Sequence, residues 1–124
     1  MSLAKLRELI NETDMFISQH AIYISKLERA IKNREEFAHK TCHECNFGVK
    51  WDNMVVPIKG ELPEEVKALV EEIEKIHCEF HEVSMQIDPK NPQPSDEEKL
   101  DRMRKLSTSL FQKLLSLKRL VKEE

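Results

Sequence analysis

Apolar residues recur every three or four positions along most of this chain, the spacing that gathers them on one side of a helix. Leu3, Leu6, Leu9 and Ile10 predict a short helix over residues 3–11. Ile17, His20, Ile24, Leu27 and Ile31 form a strict stripe and predict a second helix from about residue 14 to the low forties. Thr13 or Asp14 is placed to cap its start, and Gly48 to break it soon after Cys45. Residues 48–62 hold Gly48, Asp52, Asn53, Pro57 and Gly60 and read as a loop with one helical turn at most. Pro63 in a first turn, followed by Glu64 and Glu65, opens a third long helix. Its stripe is Leu69, Ile73, Ile76, Phe80, Val83 and Ile87, bordered by His77 and His81. The proline-rich segment DPKNPQPS (88–95) ends that pattern, and Ser95 with Glu98 fits a capping box for a last helix over about 96–122. There Leu100, Met103, Ser107, Leu110, Leu114, Leu117 and Val121 keep heptad spacing, widened by Leu106, Phe111 and Leu120. A face this wide completes a bundle, forms a dimer seam, or does both.

With only two glycines and five prolines in 124 residues, the expected fold is all-α. The expectation is one domain over 1–124, an antiparallel helical bundle of four-helix type with a short N-terminal helix and an amphipathic C-terminal helix. No apolar run reaches the roughly 18 residues of a membrane span. The start, MSLAKLRELI, has no long apolar stretch or cleavage site, so a cytoplasmic protein is expected. The net charge is −3 and no basic tract interleaves with aromatics, which disfavours nucleic acid as a partner. Charge is unevenly placed: residues 61–88 carry nine acids and two bases, residues 99–122 eight bases and one acid. Two complementary helices in a hairpin explain this without an external partner. The odd count of cysteines, Cys42, Cys45 and Cys78, argues against a disulfide framework and for free or metal-bound thiols.

The chemistry concentrates in histidine and cysteine. His77 and His81 are four residues apart and project from one helix face toward a common point. A structural zinc site takes four nitrogen or sulfur ligands in a tetrahedron. His20, His39, His43 and the three cysteines are the available partners. Two sets compete: Cys42, Cys45, His77 and His81, built on the C-x-x-C element, and His20, Cys45, His77 and His81, which uses the histidine on the apolar stripe. Spacing alone leaves both open. Neither leaves a coordination position for an activated water, so catalysis is not expected. The segment HCEFH is not the H-E-x-x-H of metalloproteases, because Glu79 lies two positions after His77, about 200° around the helix. A hemerythrin-like di-iron bundle needs more His and carboxylate ligands, and no histidine follows His81. Glu74 or Glu82 is placed to accept a hydrogen bond from a ligand imidazole, and Cys78 points about 100° away from His77.

Three elements in order resemble the CZB (chemoreceptor zinc-binding) domain family: His20-Ala21-Ile22-Tyr23, then Cys45-Asn46-Phe47-Gly48-Val49-Lys50-Trp51, then His77-Cys78-Glu79-Phe80-His81. The resemblance covers about residues 14–87, and departs from the family in placing Trp51 one residue late, with Lys50 at the usual aromatic position. It implies His20, Cys45, His77 and His81 as ligands of one zinc ion per chain. It also implies a helical bundle, often dimeric, that regulates a chemoreceptor or a cyclic-dinucleotide enzyme in response to zinc or, through the ligand thiolate, to oxidants. A stand-alone regulatory module working as a homodimer or on a signalling partner is therefore expected, with a zinc-stapled scaffold or adaptor as the alternative.

Overall fold

The computed structural model describes residues 3–122, and all regular structure among them is helical. Five α-helices follow in order: α1 (Leu3–Ile10), α2 (Thr13–Asn33), α3 (Asn46–Met54), α4 (Glu64–Met85) and α5 (Asp96–Lys122), with a 3₁₀ segment, Val56–Glu61, before α4. The long C-terminal helix α5 packs against α4, α2 and α1, so it is the element the others share.

The hydrophobic stripes explain α1 and α5 directly, whereas the buried face of α4 is rotated from its expected stripe: Val66, Val70, His77 and His81 are buried and Leu69 and Ile76 only half-buried. α1 buries Leu3, Leu6, Leu9 and Ile10, and α5 buries Leu100, Met103, Leu110, Leu114, Leu117 and Val121. The acidic α4 and the basic α5 lie side by side, with ion pairs Glu72–Lys113 at 2.8 Å and Glu79–Arg102. These pairs are partly exposed and contribute less than about 1 kcal/mol each. The opposed charges therefore match two neighbouring helices, while apolar burial holds them together.

The helix ends and the region between α2 and α4 depart from the pattern in four respects. First, α2 stops at Asn33, about two and a half turns short of Cys42. Arg34 adopts the left-handed conformation (φ 54°), and the N–H groups of Arg34 and Glu35 close back on the carbonyls of Ile31 and Ala30. This is the geometry that ends a helix. Second, neither Thr13 nor Asp14 caps α2; the hydroxyl of Thr13, its first residue, instead donates to the Ile10 carbonyl. Third, Gly48 does not break a helix but sits inside α3, which with the 3₁₀ segment fills a region expected to be loop. A Cβ at Gly48 would lie 1.7 Å from the Cys42 carbonyl oxygen, so glycine is required for close approach rather than for a turn. Fourth, at the start of α5 the Asp96 carboxylate accepts from Gln93 N–H (2.9 Å), where the sequence suggested a Ser95–Glu98 box.

Two apolar clusters fill the interior. The larger joins α1, the start of α2, α3, the first half of α4 and the end of α5 around Phe16, Phe47, Trp51, Val70, Ile73 and Leu114. The smaller joins the second halves of α2 and α4 to the start of α5 around Leu27, Phe80, Ile87 and Met103. His20 stands between Phe16 and Ile24 on α2, and His77 between Ile73 and Phe80 on α4, so the histidines lie at the boundary of the two clusters.

Candidate metal centre

Three buried imidazoles meet at that boundary. His20, His77 and His81 are exposed by only 4%, 4% and 1%. The His20 ring lies 5.1 Å from that of His77 and 5.7 Å from that of His81, centroid to centroid. Cys45 is brought beside them by residues 35–45, which leave α2 and run along α4. His39 Nε2 donates to the Ile87 carbonyl (2.9 Å) and the Lys40 N–H to the Tyr23 hydroxyl (3.3 Å), pinning that segment. Cys45 is then the N-cap of α3, its sulfur accepting the Gly48 N–H at 3.3 Å.

The hydrogen bonds orient the rings. His20 Nδ1 donates to the Phe16 carbonyl (2.8 Å) and His81 Nδ1 to the Lys40 carbonyl (2.7 Å). A carbonyl only accepts, so each ring carries its proton on Nδ1 and its lone pair on Nε2. Those two Nε2 atoms are buried and have no hydrogen-bond partner. His77 Nε2 lies 3.2 Å from the Cys45 sulfur. One ligand atom from each of His20, Cys45, His77 and His81 falls within 4.8 Å of the others, a grouping able to hold one metal ion. Buried, unpaired acceptors cost about 1–3 kcal/mol each; a shared cation is the partner that relieves this cost. Three nitrogens and one thiolate are a donor set that zinc favours.

Burial sets the charge of the group. It pushes His77 down to about 2, helped by the neighbouring His20 and His81, and His81 down to about 4, helped by His20. His20 is lowered too, burial outweighing its bond to Phe16. The Cys45 thiol is raised by burial, against the Gly48 N–H that stabilises its thiolate. At neutral pH the imidazoles are therefore uncharged, with lone pairs available. An open cavity of about 640 Å³ bordered by Tyr23, Phe37, Lys40 and Cys45 leads to His20 and His81.

The other sequence candidates lie elsewhere. Cys42 is bonded to Cys78 in a disulfide, which corrects the expectation of free thiols and takes Cys42 away from the C-x-x-C ligand set. The odd cysteine count had weighed against pairing, but two of three cysteines suffice when the chain brings them together. His43 Nδ1 bonds Asp52 (2.8 Å) at the surface, and His39 bonds Ile87. Glu74 supports no imidazole: it accepts from Trp51 Nε1 (2.9 Å) and Lys59 (2.7 Å). Main-chain carbonyls orient the rings instead, a role that sequence does not reveal. Trp51 is buried against Phe47, centroids 5.3 Å apart.

Comparison with known proteins adds one match: the model of the chemoreceptor zinc-binding domain family fits residues 20–87. No curated protein and no solved structure matches the chain.

Proposed function

Because the chain belongs to the chemoreceptor zinc-binding domain family, whose domain is a regulatory zinc-binding module rather than a catalytic one, we propose that it is a zinc-responsive regulatory protein. In this reading His20, Cys45, His77 and His81 hold one zinc ion. The observation that carries it is the pair of buried, unpartnered Nε2 atoms of His20 and His81, beside His77 Nε2 and the Cys45 sulfur. Four protein ligands close the tetrahedron and leave no position for substrate or activated water, which suits regulation rather than turnover.

Zinc when bound joins three segments of the chain: α2, the N-terminus of α3, and α4. The residues do the rest. The Phe16 and Lys40 carbonyls hold the imidazole tautomers, and the Gly48 N–H supports the Cys45 thiolate. Metal loss, or oxidation of Cys45, removes the tie between the start of α3 and the histidines of α2 and α4 and lets the boundary between the two apolar clusters repack. The response passes to a second copy of the chain or to a cytoplasmic signalling partner such as a chemoreceptor or a cyclic-dinucleotide enzyme. Met15 and Ile22, exposed one heptad apart on α2, offer a face for that contact.

Metal analysis of protein purified without added zinc tests the ligand set. The wild type is expected to hold one zinc per chain, and His20→Ala and Cys45→Ala to lose it; full occupancy in both variants rejects the assignment. The two apolar clusters that flank the site favour a second reading, a zinc-stapled scaffold. A staple holds its metal against chelators until the fold melts. A sensor releases it with a change in helix packing, which amide hydrogen exchange along α3 would record.

A further inference from the structure

A second cluster of donors lies next to the buried one, sharing a cavity wall with His77, and the buried site uses none of its three residues. Cys42 and Cys78 are joined there. His43 is the neighbour of Cys42, and one ligand atom from each of Cys42, His43 and Cys78 lies within 4.8 Å of the other two. All three, with Asp52, border one cavity of about 240 Å³. His43 donates from Nδ1 to the Asp52 carboxylate at 2.8 Å, which leaves its Nε2 as the lone-pair nitrogen. A carboxylate behind an imidazole is the arrangement that orients metal-bound histidines. His43 is well exposed, its side chain at 67%, so the cluster is open to incoming ions.

We propose that Cys42, Cys78 and His43 form a second metal site that binds a thiophilic dication, zinc foremost, only when the disulfide is reduced. A disulfide sulfur is a poor ligand, so the site is closed in the oxidised form. Reduction by a dithiol breaks the Cys42–Cys78 bond: two electrons and two protons pass to the two sulfurs, and the dithiol becomes a disulfide. The two new thiols release their protons as they bind the dication, with the His43 Nε2 as third ligand and a water or Asp52 completing the shell. Either bond, sulfur to sulfur or sulfur to metal, ties residues 42–45 to α4. The covalent staple is thus exchanged for a metal one beside the buried site, coupling the redox state of the surroundings to the amount of metal the chain carries.

Cobalt(II) titration of the full chain, with and without prior reduction by a phosphine, reads this directly, because charge-transfer absorbance follows the number of bound thiolates. The oxidised protein is expected to take one ion with the absorbance of one thiolate, and the reduced protein two ions with that of three. Cys42→Ser and Cys78→Ser should each take one ion in either condition. His43→Ala, a surface change that spares the fold, should weaken the second ion at least about tenfold. Cys45→Ala should still gain one ion on reduction, which separates this site from the buried one. A reduced wild type with three free thiols and a single bound ion overturns the proposal. So does a second ion that survives in Cys42→Ser and Cys78→Ser.

Discussion

Along α2 and α4 the packing is ordinary at both ends and unusual between them. Toward one end Phe16, Phe47, Val70 and Ile73 close an apolar cluster, and toward the other Ile24, Leu27, Phe80 and Val83 close another. Between them three imidazoles face one another, two with an unpaired buried nitrogen. The apolar layers are stable on their own account. The histidine layer buries two acceptor nitrogens that no group of the described residues partners, at a cost of about 1–3 kcal/mol each. The difference teaches that fold and metal site are separable: the outer layers close by apolar contact alone, while the middle one presents donor atoms.

The comparison can be broken most strongly from the apolar side. Phe80 is fully buried beside His20 and His81, so Phe80→Ala should cost about 3–5 kcal/mol. Thermal melting should show a similar loss with or without zinc. Saturation with zinc is the next effect in size. Metal at about 1,000 times its dissociation constant should raise stability by roughly 4 kcal/mol. His20→Ala should abolish that gain in the same melts while leaving the two apolar clusters in place. Gly48→Ala drives a methyl group into the Cys42 carbonyl and should cost about 1–3 kcal/mol. Hydrogen exchange should locate its effect in α3 and residues 35–45, not in α5.

Acid sharpens the contrast at smaller steps. Well above pH 6.5 the three buried histidines, His20, His77 and His81, are neutral in both folded and unfolded chains and add no pH dependence. Below it the unfolded chain takes up protons that the buried rings refuse, His81 down to about 4 and His77 down to about 2. The metal-free protein should therefore lose stability as pH falls from 6.5, by at most about 1.4 kcal/mol per pH unit for each such histidine. Denaturant midpoints measured across pH 7 to 4 give the slope. Neutralising Glu72, which meets Lys113 at the surface, should change the stability obtained from those curves by less than about 1 kcal/mol.

The long helices were legible because their stripes repeat without interruption, and the four candidate donors because three short motifs carry them. The region between α2 and α4 was not. Nothing in the apolar pattern marks Arg34 as the stop of α2, since it is a charged residue in a left-handed turn. Gly48 read as a breaker because glycine serves equally in turns and in close contacts, and only the position of the Cys42 carbonyl tells which. The disulfide was in principle within reach. Cys42 is three residues from Cys45, and Cys78 adjoins His77. A site that unites Cys45 with His77 therefore draws the other two sulfurs into the same neighbourhood. Counting cysteines hid what placing them would have shown.

One sulfur holds more than its place in the donor set. Cys45 caps α3, and the Gly48 N–H rests on the same atom that faces His77. Oxidation of that sulfur removes the N-cap bond of a nine-residue helix at the same moment as a candidate metal ligand. A helix this short has little independent stability, so it should unwind from that end. The expected readout is faster amide exchange over the first turn of α3, while Trp51, buried and bonded to Glu74, holds the rest of the helix in place.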